Sequence, residues 1–258
     1  MITDGAHALA EDAFAYTPRW PNQDWNDSDC YYLLHSPNPH HLHGLVLRPR
    51  LGDDVEAIVG EVRQWFGGRQ RRRFTWLVGG SATPSDLRER LLALGAEGDA
   101  SEPVYAGMVI TEPPPPVEGL EARPVATFQE FAAARELSWD AVRMDEATRE
   151  SARARLREAW DEYQEIDILV FATFVNGRPV ACGGVSFTPY GGYLAGAGTH
   201  LDYRGRGCYR ALVRARWDAA AARGTPVVAA QAGKMSQPIL HRLGFRQLAT
   251  VHALVDQS

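Results

Sequence analysis

The residues best suited to chemistry lie in a glycine-rich segment near the C-terminal end of the chain. Residues 199–217 read THLDYRGRGCYRALVRARW. Gly205 and Gly207 carry no side chains, so backbone amides there can approach a ligand closely. An amphipathic helix is expected to begin at about Cys208, and the amides of its first turn have no partner within the helix. The segment therefore has the features of an anion-binding loop.

Arginines concentrate at the same turn, as Arg204, Arg206 and Arg210. The chain as a whole is acidic, with 27 basic and 32 acidic residues and a formal net charge of −5. A local cluster of guanidinium groups in an acidic chain indicates a bound phosphate or pyrophosphate. The segment lacks the glycine-lysine-serine/threonine of a Walker A loop, and Arg210 occupies the third glycine position of a Rossmann fingerprint. These two nucleotide-binding classes are therefore excluded.

The pattern arginine-x-x-glycine-x-glycine/alanine resembles the coenzyme loop of the GNAT superfamily of N-acetyltransferases. The residues that carry the resemblance are Asp202, Tyr203, Arg204, Gly207 and residues 211–213. HRLGF at 241–245 is similar to a second signature of that family, a helix end followed by glycine-phenylalanine. The two segments occur in the family's order, so the resemblance covers most of residues 120–258.

The resemblance implies a fold of the α/β class (α+β, mixed sheet), the GNAT-like acyl-CoA N-acyltransferase fold. It implies acetyl-CoA as co-substrate, with backbone amides from about Arg206 to Arg210 holding its pyrophosphate. The coenzyme-binding residues would be Gly198, Thr199, Leu201, Arg204, Gly205, Arg206, Gly207, Cys208, Tyr209 and Arg210. The pantetheine arm would lie between residues 198–201 and 228–231, on two strands that separate. The acetyl group would pass directly from the thioester to an amine.

Two residues depart from the family pattern. Tyr209 stands where glycine or alanine is usual, so its phenol would either crowd the phosphates or pack into the core. Leu240 stands where the family commonly has the tyrosine that protonates the leaving thiolate. The neighbouring His241 points about 100° away around the helix and is a poor substitute.

The reaction also needs a group that removes a proton from the acceptor. An alkyl ammonium has a pKa of about 10.4, so roughly one molecule in a thousand is neutral at pH 7. Tyr193 is one candidate, because some family members place a glutamate base at the start of this strand. His200 is another, because imidazole titrates in the right range. Glu165 and Asp167, just before the preceding hairpin, are further candidates.

Hydrophobic periodicity predicts the elements around this loop. They are helices from about Thr127 and from about Asp145 to Tyr163, strands 168–175, 180–187 and 193–201, a helix at about 208–222, a strand at 227–232, a short helix capped by Ser236 and a strand at 245–255. Asn176-Gly177 between the first two strands predicts a two-residue hairpin.

The N-terminal part of the chain shows a similar order of elements. We expect strands at 31–34 and 43–47, a helix at 55–66, a strand at 74–78, a helix capped by Thr83 with Pro84 at its first position, and a strand at 104–110. Loop, helix, strand, helix and glycine follow one another in both parts, which predicts a tandem arrangement. Asp53 and Asp54 would repel a pyrophosphate, so the first half is expected to be degenerate. A different small α/β module is the alternative for this part.

Four consecutive prolines at 113–116 indicate an extended, stiff spacer. The predicted organisation is a degenerate GNAT-like or supporting α/β domain at 1–112, a proline-rich linker at 113–119 and a GNAT acetyltransferase domain at 120–258.

Composition limits the cell compartment and the partners that are expected for this protein. Three scattered cysteines do not form a disulfide framework, the N-terminus lacks a signal peptide, and the longest apolar runs are strand-sized. We therefore expect a cytoplasmic protein without a membrane partner. The acidic balance argues against nucleic acid, and RQRRR at 69–73 is interpreted as a solvated loop. His41 and His43 could share a strand face and hold a metal, but no acid or cysteine stands nearby, so no metal is expected.

The sequence thus predicts an N-acyltransferase that moves an acetyl group from acetyl-CoA to an amine. A small-molecule amine is favoured, because an acidic protein suits a cationic acceptor. A protein amine and a homodimer stay open. One alternative uses the same cleft for another acyl thioester or different chemistry, since Leu240 removes the usual acid. Another is an acyl-CoA-binding or structural module without transferase activity.

Overall fold

The computed structural model describes residues 3–37, 44–141 and 143–258. In chain order its elements are α1 (Asp4–Tyr16), β1 (Asp24–Asp27), β2 (Tyr32–His35), β3 (Gly44–Leu47), α2 (Val55–Gly67), β4 (Arg73–Val78), α3 (Leu87–Ala93), β5 (Glu97–Gly98), β6 (Val104–Ile110), β7 (Glu121–Pro124), α4 (Phe128–Ala141), α5 (Glu146–Ala154), α6 (Leu156–Glu165), β8 (Ile168–Val175), β9 (Arg178–Thr188), β10 (Gly191–Thr199), α7 (Cys208–Ala222), β11 (Val228–Ala232), α8 (Gln237–Arg242) and β12 (Arg246–Gln257).

The strands of these residues form one mixed sheet. Its order is β1-β2-β3-β4-β12-β6-β11-β10-β9-β8-β7, and β5 pairs with β12. Two neighbouring pairs are parallel, β3 with β4 and β10 with β11, while the other named pairs are antiparallel. The predicted mixed α/β class is confirmed.

The two parts of the chain exchange strands at the centre of this sheet. β6 precedes the proline segment, yet it lies between β11 and β12, which follow that segment. β12 in turn lies between β6 and β4. Apart from the short β5, the order β3-α2-β4-α3-β6 is repeated as β10-α7-β11-α8-β12. The sheet therefore contains the predicted repeat and is continuous across residues 113–119, whose role as a domain boundary stays a prediction.

Helices cover both faces of the sheet. Alternate residues of β6 show this, because Met108 packs with α7 and α8 whereas Val109 packs with α1. α2 and α3 lie on the same face as α7 and α8, packed with Leu254. α4 and α6 pack with Ala172 and Cys182 on the face that carries α1. The site loop before α7 therefore lies at one end of a sheet that has helices on both of its faces.

α1 is an element that sequence reasoning missed. Its buried residues are Ala6, Leu9, Ala10, Asp12 and Ala13, and Thr3 caps it by accepting from the Ala6 amide. Helical spacing of these small apolar residues behind a threonine cap was the available signal. The helix crosses the middle of the sheet and covers Tyr193 and Ala229.

Three predicted boundaries are wrong. The helix expected from Asp145 to Tyr163 is two helices, because Arg155 leaves helical geometry with φ −101° and ψ 4°. The helix expected at Thr83 begins at Leu87, because the Thr83 backbone pairs with that of residues 49–51. The strand expected to reach Leu201 ends at Thr199, since a short 3-10 helix occupies Leu201–Tyr203.

The proline segment packs along α7. Pro114 is buried, and its carbonyl oxygen accepts a hydrogen bond from Nη1 of Arg214 at 2.9 Å. Val117 lies beside Gly207 at the start of the helix. The segment is therefore fixed next to the site loop. Across the described ranges, no helix combines the length and the apolar character needed to span a bilayer.

Candidate functional site

Two glycines shape the loop that enters α7. Gly205 has φ +74° and Gly207 has φ +87°, a left-handed region that strains residues with side chains. Gly207 is the N-cap of α7, and a Cβ atom there would stand 3.0 Å from Cγ1 of Val117. The positive φ and the close approach of Val117 both require glycine at position 207.

The amides of this loop are free to bind a ligand. Among the described residues, none accepts a hydrogen bond from the backbone N–H groups of residues 205–210, and no side chain caps α7. The first such bond of the helix runs from Ala211 to the Gly207 carbonyl at 3.0 Å. Successive unpaired amides at a helix start form a site for an anion.

The three arginines of the loop are exposed and available. Within the part of the chain that the structure describes, no carboxylate lies at ion-pair distance from Arg204, Arg206 or Arg210. Nε of Arg204 donates to the carbonyl oxygen of Thr199 at 3.3 Å, and Arg206 lies over the ring of Tyr203. Their charges are therefore not neutralised by the protein.

A buried contact holds the first turn of α7 to the sheet. The hydroxyl of Thr173 on β8 donates to the carbonyl oxygen of Cys208 at 3.0 Å. Cys208 is itself buried, and burial raises the pKa of its thiol. A thiol held protonated is a weak nucleophile, so Cys208 acts through packing and its backbone.

Tyr209 takes the core-facing orientation of the two considered from the sequence. Its ring packs against the cluster under α7, 5.9 Å from the guanidinium carbon of Arg216. Burial raises the pKa of the Tyr209 hydroxyl, and Arg216 partly opposes this. Arg216 is fully buried, with Nη1 donating to the Gly184 carbonyl oxygen at 3.0 Å. The phenol therefore does not crowd the loop.

β10 and β11 separate to leave a groove beside this loop. They pair only at Gly192 with Val228 and at Tyr193 with Ala229. Beyond that point β10 is irregular, and its residues 195–197 are exposed. The predicted separation is present, although residues 228 and 229 belong to its closed end. On the β10 side of the groove, Gly198 is covered by α4, because a Cβ atom there would stand 2.7 Å from the Leu137 carbonyl oxygen.

Two exposed apolar residues follow the separated strands. Leu201 is 70% exposed in the loop after β10, and Met235 is 79% exposed in the loop after β11. Both residues therefore lie at the ends of the two strands that form the groove. Leu201 was among the predicted coenzyme residues, whereas Met235 was not.

The two predicted catalytic residues do not come together. Tyr193 is buried under α1, in edge contact with Phe14 at 5.2 Å, and burial raises the pKa of its hydroxyl. His200 is exposed after the end of β10, and its Nδ1 accepts from the Asp202 amide at 3.3 Å. Seven residues of extended chain separate them by roughly 20 Å. Their catalytic roles stay predictions.

The other residues considered for proton transfer take part in ion pairs, pack in the core or lie on the surface. Asp167 forms an ion pair with Arg223 at 2.9 Å, and Leu240 is a core residue that is 1% exposed. His241 is exposed on the outer side of α8. In the described residues, α8 thus places no acidic side chain in the core position of the usual tyrosine.

Two polar residues that sequence reasoning did not single out as site residues lie on elements next to the groove, β11 and α4. Nε2 of Gln231 on β11 donates to the carbonyl oxygen of Glu11 at 2.8 Å. Arg135 on α4 is exposed to solvent, yet surrounding protein lowers the pKa of its guanidinium by desolvation. Both depend on long-range packing, which local pattern does not reveal.

In the N-terminal half, the chain itself fills the corresponding position. β3 and β4 pair at Leu45 with Thr75 and at Val46 with Trp76. Just beyond, the Ser81 amide donates to Oε1 of Glu11 at 2.8 Å. An internal carboxylate therefore occupies the place after β4 that corresponds to the loop after β11.

Two further sequence motifs, a histidine pair and a basic segment, can be compared with the described residues. No group of three or more histidine, cysteine or acidic side chains is placed to hold a metal there. His41 and His43 lie outside the described residues. In the basic segment 69–73, Arg71 is buried and donates to the Ser36 carbonyl oxygen, so the interpretation of this segment as a solvated loop is wrong at that residue.

Comparison with known proteins relates this geometry to one family. Residues 131–245 match the model described as the acetyltransferase (GNAT) family. A comparison with curated proteins finds no match.

Solved structures share the fold over nearly the whole chain. A GCN5-related N-acetyltransferase from Kribbella flavida is 19% identical with a TM-score of 0.66, covering 98% of this chain and 96% of that one. A tandem GNAT protein from the clavulanic acid biosynthesis pathway is 14% identical with a TM-score of 0.64, covering 98% and 94%. A GCN5-related N-acetyltransferase from Sphaerobacter thermophilus is 18% identical with a TM-score of 0.58, covering 90% and 82%.

Proposed function

Because residues 131–245 match the acetyltransferase (GNAT) family model, we propose that this chain is an acetyl-CoA-dependent N-acetyltransferase acting on the amine of a small molecule. The match supports an acetyltransferase in general. The proposal adds three points: acetyl-CoA is the donor, the acceptor atom is a nitrogen, and the substrate is a small molecule.

The observation that carries the proposal is the unsatisfied loop at the start of α7. Within the described part of the chain, the amides of residues 206–210 have no acceptors and the three arginines have no carboxylate partners, an arrangement that suits a diphosphate. Charge-assisted hydrogen bonds of this kind contribute about 1.5–3 kcal/mol each, against about 0.3–2 kcal/mol for the helix dipole. Direct bonds from amides and guanidinium groups would therefore supply most of the affinity.

The separated strands supply the second part of the argument. A thioester arm extending from the cradle would lie in the groove between residues 195–199 of β10 and 230–232 of β11. When bound, acetyl-CoA supplies an activated acyl carbon. The chain's own contribution is to fix this arm, to bring the acceptor to the face lined by α1 and α4, and to take up a proton.

The reaction balances without a covalent enzyme intermediate. The amine nitrogen forms a bond to the acyl carbon, the carbon–sulfur bond breaks, and the nitrogen loses a proton as the thiolate gains one. His200, exposed at the end of β10, stays our candidate for a proton acceptor. The buried Tyr193 is less suited, because a hydroxyl with a raised pKa holds its proton near neutral pH.

The proposal also includes expectations about location, metal and partners. The protein would work in the cytoplasm without a metal, a nucleic-acid partner or a membrane partner. A homodimer stays open. The acidic balance of the chain supports a cationic amine as the acceptor.

A thiol-release assay tests the function. Purified protein is incubated with acetyl-CoA and a panel of small amines, free thiol is measured, and products are identified by mass spectrometry. We expect thiol release that requires an amine and yields its N-acetyl derivative. Binding of acetyl-CoA without release for any amine would instead support the alternative, a coenzyme-binding module without transferase activity.

A further inference from the structure

Arg216 of α7 is buried beneath the irregular part of β10. A Cβ atom on Gly183 of β9 would stand 2.7 Å from Nη1 of Arg216 and 3.3 Å from the Cβ atom of Ala197. Nη1 of Arg216 also donates to the Gly184 carbonyl oxygen at 3.0 Å, and Gly184 pairs with Ala195. The guanidinium therefore lies under the exposed stretch of β10 that borders the groove.

Only small residues separate this guanidinium from the groove. Side chains alternate along a strand, and Cys182 and Gly198 face α4, whereas Gly183 and Ala197 face α7. The stretch of β10 at residues 195–197 consists of alanine, glycine and alanine, and all three are exposed. A ligand that lies along this stretch would therefore be separated from the guanidinium by a backbone without large side chains.

Among the described residues, no carboxylate pairs with this arginine. Arg216 is fully buried, its Nε donates to the Leu212 carbonyl oxygen at 3.1 Å, and its Nη2 has no hydrogen-bond partner in the described part of the chain. The titratable groups that act on it are the Tyr209 hydroxyl and the Cys182 thiol. Burial raises the pKa of both groups, that of Cys182 to about 11, so both are uncharged near pH 7.

The buried charge is therefore permanent and uncompensated. A guanidinium keeps its proton in a protein, although burial lowers the pKa of Arg216. Removing a charge from water is unfavourable, and here no opposite charge offsets that cost. Stability alone does not favour arginine over an apolar side chain at this position. The same charge would stabilise an anion that forms in the groove, because the protein interior screens charges weakly.

Resting on the proposed function, we infer that Arg216 stabilises the negative charge that forms on the leaving sulfur atom during acetyl transfer. The amine nitrogen bonds to the acyl carbon, the carbon–sulfur bond breaks, and its electron pair passes to the sulfur. A fixed positive charge beneath the groove stabilises this thiolate. The proton that the sulfur finally takes comes from the attacking nitrogen, directly or through water. Arg216 is a positioning residue, because β10 separates it from the reacting atoms.

Titration of the bound product thiol tests this inference. Coenzyme A is bound to the protein at saturation, and its thiolate is followed by ultraviolet absorbance between pH 6 and pH 9, with the protein alone as the blank. A free alkyl thiol has a pKa of about 8.5, and we expect that of the bound thiol to be lower by about one unit or more. Arg216→Met should return it to the free value or above. Arg216→Lys, which keeps the charge, should retain part of the shift.

Thiol-release kinetics give a second readout. Arg216→Met should lower kcat about 10- to 100-fold, which corresponds to one or two pKa units, and leave KM for acetyl-CoA nearly unchanged. Arg216→Lys should recover part of the rate, while Arg73→Met, at an exposed arginine at the start of β4, should change nothing. Circular dichroism verifies folding. If Arg216→Met does not fold, the unaltered protein and Arg216→Lys decide the question.

Three results would overturn the inference. They are a bound thiol in the unaltered protein that titrates at or above the free value, an equal pKa of the bound thiol in folded Arg216→Met, and a raised KM with unchanged kcat in that variant. Failure of the proposed function is distinct, because then calorimetry would show no coenzyme binding, or no amine would release thiol.

Discussion

Gly107, in the middle of β6, lies directly beneath the main-chain carbonyl oxygen of Ala10 in α1, where a Cβ atom would overlap that oxygen. On the neighbouring strand, Gln231 pairs with Gly107 and donates to the carbonyl oxygen of Glu11 in the same helical turn. Glycine thus allows α1 to sit on the sheet at the point where it orients a residue of the groove.

We predict that Gly107→Ala destabilises the protein by about 1–3 kcal/mol, because the backbone of α1 must move away from the sheet. Gly184→Ala on β9 is the control, since the nearest atom to a Cβ atom there is 3.5 Å away. The measurement is thermal unfolding followed by circular dichroism. A melting temperature lowered equally by both substitutions would show that the close approach of α1 is not responsible.

A second prediction concerns two threonines that are both fully buried, Thr173 and Thr75. The Thr173 hydroxyl donates to the Cys208 carbonyl oxygen, whereas the buried Thr75 hydroxyl has no partner among the described residues. Thr173→Val should cost about 1 kcal/mol, and Thr75→Val should be neutral or stabilising, because it removes an unsatisfied polar group. Urea unfolding of the two variants measures the difference. The opposite order would contradict the assigned role of Thr173 in fixing the start of α7.

The third prediction follows from Asp12, a buried carboxyl at a kink in α1. Burial, with a smaller contribution from Glu11, raises its pKa from 3.8 to about 6, although Arg50 acts in the other direction. The folded protein therefore binds this proton more tightly than the unfolded chain. The contribution of Asp12 to stability should be greatest below about pH 4, fall by up to about 3 kcal/mol as the pH rises to about 6, and then stay level.

Asp12→Asn should remove this dependence and be more stable than the unaltered protein at pH 7. Melting temperatures between pH 4 and pH 8 provide the measurement, with Asp53→Asn, an exposed carboxyl at the start of α2, as the control. If Asp12→Asn is less stable at pH 7 than at pH 4 by the same amount as the unaltered protein, Asp12 is not the titrating group.

The exchanged strands lead to a fourth prediction. A fragment of residues 120–258 would lack β6, which pairs with both β11 and β12, and β4, which pairs with β12. The unpaired edges that this leaves on β11 and β12 favour aggregation over a folded monomer. We expect this fragment to be unfolded alone and to form a soluble complex when co-expressed with residues 1–119. Cooperative unfolding of the isolated fragment would show that it folds as an independent domain.

Local features of the sequence were sufficient for many elements. The helix expected at 208–222 and the hairpin at Asn176-Gly177 are present because hydrophobic spacing and turn chemistry act over a few residues. The site loop was found for the same reason, since its glycines and arginines are adjacent in the chain. The local sequence does not predict the break at Arg155, because no glycine or proline stands there.

Strand order and the far wall of the groove were beyond local reasoning. The apolar run of β6 reads the same whether it pairs within its own half or between β11 and β12. Gln231 acquires its fixed orientation from α1 packing over the sheet. Contacts between residues more than a hundred positions apart, such as Gln231 with Glu11, depend on the whole fold.

The central claim is that the loop before α7 binds the diphosphate of acetyl-CoA, and isothermal titration calorimetry tests it most directly. Acetyl-CoA is titrated into the unaltered protein, into Arg206→Glu and into the control Arg73→Glu. We predict saturable binding to the first and the control, and affinity at least about tenfold lower for Arg206→Glu, since a charge-assisted bond becomes a repulsion. Absence of binding to the unaltered protein, or equal affinity in Arg206→Glu, would contradict the claim.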